Sequence, residues 1–126
     1  MPPSPFQYAI VRVVPHVERG ECVNAGVVLF CRPRRYLAAR VELDEARLRA
    51  LAPDVDLAAV HAHLEALGRV AAGDPAAGAI AALPASERFH WLVAPSSTII
   101  QCSPVHTGLT EDPEGELDHL VTRLVR

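Results

Sequence analysis

Between Phe6 and Cys31 the chain carries two strongly apolar runs, Ala9–Val14 and Val27–Phe30, joined by a polar link with Arg19, Gly20 and Glu21. The first reads as a strand over Phe6–Val14. Tyr8, Ile10, Arg12 and Val14 fall on one face, and Gln7, Ala9, Val11 and Val13 on the other. Both faces are largely apolar, which predicts a central position in a sheet rather than an edge. Pro15 has no N–H for a ladder and ends the strand. The second strand spans Val23–Cys31. Strict alternation there puts Asn24, Gly26, Val28 and Phe30 on one face, with Val23, Ala25, Val27, Leu29 and Cys31 opposite. Gly26 weakens such a strand unless something must approach it closely.

The rest of the chain extends or covers this pair. After the turn Arg32-Pro33-Arg34-Arg35, a third strand over Tyr36–Leu43 has one wet face and lies nearer an edge, giving an antiparallel meander. The period then changes. Asp44 caps a short helix, Glu45–Leu51, and Asp56 a longer one, Leu57–Ala72, closed by Gly73. Asp74-Pro75 opens a third helix to about Leu83. Phe89–Ala94 and Thr98–Cys102 alternate as a hairpin, and Ser103–Thr110 is a loop. Asp112-Pro113 opens the last helix, whose Leu117, Leu120, Val121, Leu124 and Val125 form one apolar stripe. The order βββ-ααα-ββ-α predicts a single α+β domain over residues 1–126, a mainly antiparallel sheet of about five strands with helices packed on one face.

Composition narrows the function classes. No apolar run approaches the roughly 18 residues that cross a bilayer, and the N-terminus lacks the pattern of a signal peptide, which predicts a cytoplasmic protein. Three cysteines without CxxC spacing predict reduced thiols. All 12 basic residues are arginines. Residues 1–40 hold six of them against two acids, a net of +4, and the remainder carries −7. The basic segment offers Arg32, Arg34, Arg35 and Arg40 to a nucleic acid, unless the acidic half neutralises them within the fold.

Motifs for chemistry are few. No GxSxG elbow or glycine-rich phosphate loop occurs. His61 and His63 stand two apart on a helix and cannot share a metal, and no metal or cofactor is predicted. The one unusual polar cluster is Arg12, Arg19, Glu21 and Asn24, with Gly26 beside it. Arg12 on an apolar face needs a partner, because a buried unpaired charge is costly. Glu21 or another acid satisfies it in one reading; a small anion held by guanidinium forks does so in the other. His106 and Thr107, in a loop leading to a helix N-terminus, are the remaining candidates for an anionic ligand, although four nearby acids oppose it.

The pattern Tyr8-x-Ile10-Val11-Arg12-x-x-Pro15 with Arg19-Gly20-Glu21-x-Val23-Asn24-x-Gly26-Val27-Val28 resembles a bacterial family known as domain of unknown function 3037. Thr107-Gly108-Leu109-Thr110 followed by Asp112-Pro113 is similar to that family's C-terminal segment. The resemblance implies no established activity. It implies an accessory, partner-binding role beside a HipA-like kinase. Two alternatives stand next to it: a nucleic-acid-associated module using the arginine-rich segment, and an enzyme or binding protein for a small anion at Arg12, Glu21 and Asn24.

Overall fold

A computed structural model of the chain describes residues 2–126. The strands are β1 (Ser4–Val13), β2 (Val23–Cys31), β3 (Tyr36–Val41), β4 (Ile100–Cys102) and β5 (His106–Thr110). The helices are α1 (Glu45–Leu51), α2 (Leu57–Ala72), α3 (Ala85–Val93) and α4 (Pro113–Leu124). The fold is α+β, and every pairing in its five-stranded sheet is antiparallel. No helix among the described residues is long and apolar enough to cross a membrane.

β1 and β2 form the centre, with β3 beyond β2 and both β4 and β5 along the other side of β1. Strict alternation fails in β2 at one point. Val11 faces Gly26 but Arg12 faces Asn24, so Ala25 is an extra residue, a β-bulge. The bulge shifts the phase by one. Val23 and Ala25 therefore join Val28 and Phe30 in the larger core, while Val27, Leu29 and Cys31 face the other way. A second irregularity divides β4 from β5. Ser103 holds Ile10 from both sides, donating its N–H to the Ile10 carbonyl and accepting the Ile10 N–H on Oγ, each at 2.8 Å. Pro104 follows at this break in the edge, where a proline costs no ladder bond.

Helices cover both faces, not one. α1, α2 and α3 close over the larger core of Val11, Val13, Val28 and Phe30, and α4 lies on the opposite face against Val27, Leu29 and Cys31. The apolar residues on both faces of the central strands account for this, since each face has its own set to bury; the phase shift in β2 adds Val23 and Ala25 to the larger one.

Three stretches differ from their sequence patterns. The segment after Asp74 forms two 3-10 turns, Pro75–Ala77 and Ala79–Ala82, separated by Gly78 at φ +97°. Phe89–Ala94 is not a strand: residues 85–93 are helical, with Phe89 and Leu92 buried three apart and Trp91 turned outward. Period 2 and period 3.6 both fit so short an aromatic run, and burial of Phe89 against Phe30 selects the helix. Finally, His106–Thr110 is a strand rather than a loop, its edge position leaving it no apolar face to announce it.

Candidate functional site

The residues singled out by sequence do not share one hollow. Arg12 and Asn24 are cross-strand partners on the α4 side of the sheet. The Asn24 side-chain amide donates to the carbonyl of Leu124 at 2.9 Å and so ties down the end of α4. Glu21 does not reach Arg12. It pairs with Arg19 at 2.5 Å in the exposed loop, where Gly20 turns the chain at φ +73°. That bond and charge hold the Glu21 carboxyl below its ordinary range. Gly26 has a structural reason: a Cβ there would stand 2.6 Å from the Arg40 carbonyl and 3.1 Å from Val41 Cα. The space beside it belongs to β3, not to a ligand.

At the other end, His106 faces Tyr8 across β1 and β5, with ring centroids 5.3 Å apart. Thr107, its neighbour, is exposed. Gly108 lies under the Phe6 ring, whose atoms would meet a Cβ at 2.8 Å. Thr110 Oγ1 accepts the Asp112 N–H, and the Asp112 carboxylate accepts that of Gly115, together capping α4. Of the four arginines offered to a nucleic acid, two are engaged within the fold. Arg34 donates to Ser4 Oγ and to the carbonyls of Pro2 and Glu111, and Arg40 pairs with Asp118. Arg32 and Arg35 remain exposed. Among the described residues no three His, Cys, Asp or Glu side chains gather closely enough to hold a metal ion.

The segments just described are also those that mark the sequence. A family model described as "Protein of unknown function (DUF3037)" matches residues 8–125. The chain belongs to this family. No curated protein and no solved structure matches it at a significant level. In this DUF3037 chain the pattern over Arg19–Gly26 is thus spent on a turn, a surface ion pair, a helix tie and a close strand contact.

A large apolar hollow of the DUF3037 domain lies elsewhere. About 550 Å³ opens between α2, α3 and β4, floored by Leu67, Val70, Leu92 and Ile100 and walled by Trp91. Its rim carries His63, Ser96 and Thr98. Trp91 remains 53% exposed although its helix neighbour Phe89 is wholly buried. Cys102 borders the same hollow; its thiol donates to the Leu92 carbonyl at 3.3 Å, and burial pushes its pKa up to about 11 against the opposing Arg12 charge. A thiol so held is a poor nucleophile. Alternation over residues 89–94 concealed this hollow, because it put Trp91 and Phe89 on one face. The available signal was Pro84 and Pro95 bracketing a stretch that begins Ala85-Ser86-Glu87.

Proposed function

We propose that this chain is a partner-binding protein, without catalysis of its own, that receives the apolar face of a helix from another protein in the α2–α3–β4 hollow. The observation that carries this is Trp91, a large ring half exposed above an apolar floor. Exposed aromatic side chains over concave apolar surface are the usual anchors of protein recognition. Ala62 and Ala66 lie one turn apart on α2 along the same hollow, so a second helix backbone can come close. In further support, three of the polar residues that offered chemistry are occupied in holding the fold: Asn24 on Leu124, Glu21 on Arg19, Arg34 on three partners.

The resemblance supplies the first partner to test, a HipA-like kinase. Co-expression with the tag on either protein is expected to yield a complex, and Ala66→Arg, which fills the hollow from an exposed position, is expected to abolish it. Failure to co-purify in both tag orientations removes the kinase. A complex indifferent to Ala66→Arg removes the hollow.

A further inference from the structure

We infer that Arg12 is a carboxylate-binding residue, on the α4 side of the sheet and independent of the hollow on the opposite side. Its side chain is half-buried on the central strand, and Nε is sealed from solvent without a hydrogen-bond partner. None of the ion pairs among the described residues includes it. The terminal nitrogens form no bond either, yet they are not sealed, so the guanidinium is rooted in protein and presents the end of its fork to the surface.

The helix-end carbonyls and the carboxylates that would ordinarily quiet such a charge are engaged elsewhere. α4 ends nearby, and its last carbonyls carry partial negative charge. The Leu124 carbonyl accepts from Asn24, that of Val125 from Arg47, and that of Val121 from the N–H groups of Val125 and Arg126. Glu42, Asp118 and Glu21 are paired to Arg126, Arg40 and Arg19. A partly buried cation with no counter-charge is costly, so the site is completed from outside.

The flanking groups define what fits. Both cross-strand neighbours of Arg12 are neutral amides, Asn24 and Gln101. Each spends one N–H on a backbone carbonyl, Leu124 and Thr98, and keeps further donor capacity. One guanidinium between two amides matches a planar monoanion accepting end-on from both terminal nitrogens. A phosphate dianion would call for a second cation.

Titration of the isotopically labelled protein with sodium acetate at constant ionic strength, followed by NMR of the Arg12 guanidinium and the Asn24 and Gln101 side-chain amides, tests this. Saturable shifts confined to these groups are expected, with affinity at least about tenfold weaker in Arg12→Lys, which keeps the charge and loses the fork. Linear shifts spread over the surface, equal affinity in Arg12→Lys, or tighter binding of inorganic phosphate would each overturn the assignment. Should Arg12→Lys fail to fold, the wild-type comparison of acetate with phosphate decides alone. An acidic tripeptide titrated alongside identifies the source: binding tighter than acetate indicates a polypeptide carboxylate, and equal binding a small free acid.

Discussion

Asn24 and Leu124 lie 100 residues apart in the chain, yet the Asn24 amide nitrogen donates to the Leu124 carbonyl at 2.9 Å. One residue of the central hairpin therefore anchors the C-terminal end of α4. Removing the donor leaves a part-buried carbonyl unpaired, so Asn24→Ala is expected to cost about 1–2 kcal/mol. Asn24→Asp loses the same donor and sets a carboxylate against the negative end of the helix. The unpaired Arg12 charge across the strand offsets that cost, so the variant is expected to fall close to Asn24→Ala at neutral pH. Urea unfolding measures both, and amide exchange over α4 locates the loss. Unchanged protection at Leu120 and Val121 in Asn24→Ala would show that the tie is dispensable.

Two glycines make opposite predictions. At Gly26 a new Cβ would meet backbone of β3 at 2.6 Å, and backbone cannot give way as a side chain can. Gly26→Ala is expected to destabilise by about 1–3 kcal/mol, the range for overpacking. Gly68 lies inside α2 with nothing within 4 Å of its would-be Cβ. Gly68→Ala is expected to stabilise by about 0.5–1 kcal/mol through helix propensity. Paired denaturation curves check the signs.

Where physics acts locally, the fold is legible in the sequence. β1, β2 and β3 follow from their apolar runs. α1, α2 and α4 follow from Asp44, Asp56 and Asp112, whose side chains each accept a first-turn N–H. What escapes is long-range. The bulge at Ala25 depends on how β2 registers against β1, and no property of Ala25 reveals it. β5 exists because β1 has a free side, not because His106–Thr110 alternates. The candidate site divides in the same way. Arg12 stands out as a charge on an apolar face, but that Glu21 turns away to Arg19 follows from the loop's path.

Phe89 and Trp91 share a helix and have unrelated roles. Phe89 is fully buried against Phe30, with ring centroids 5.3 Å apart. Phe89→Ala is expected to cost about 3–5 kcal/mol through lost burial and the cavity left behind. Trp91→Ala removes a half-exposed ring and is expected to shift stability by no more than about 1 kcal/mol while abolishing partner capture. Thermal unfolding of the two variants beside the co-purification assay separates the roles. A large stability loss in Trp91→Ala would mean that the ring serves the core.

Cys102 makes stability fall at alkaline pH. Burial raises its pKa from 9.0 to about 11, so the folded chain keeps the proton over a range in which the unfolded chain releases it. Between these values the unfolded state binds fewer protons, and stability drops as pH rises, by at most about 1.4 kcal/mol per unit for one group. Below pH 9 the contribution is fully present. Burial also raises the Tyr36 hydroxyl, which adds a loss of the same sign above pH 10. Cys102→Ala isolates the thiol: urea midpoints from pH 8 to 10.5 should decline less steeply in the variant than in the wild type. Thiol labelling at pH 8 provides an independent check. The exposed Cys22 should react at once, the partly buried Cys102 slowly because its thiol stays protonated, and the buried Cys31 only after unfolding. Modification of Cys102 as fast as that of Cys22 in the folded protein would refute its raised pKa.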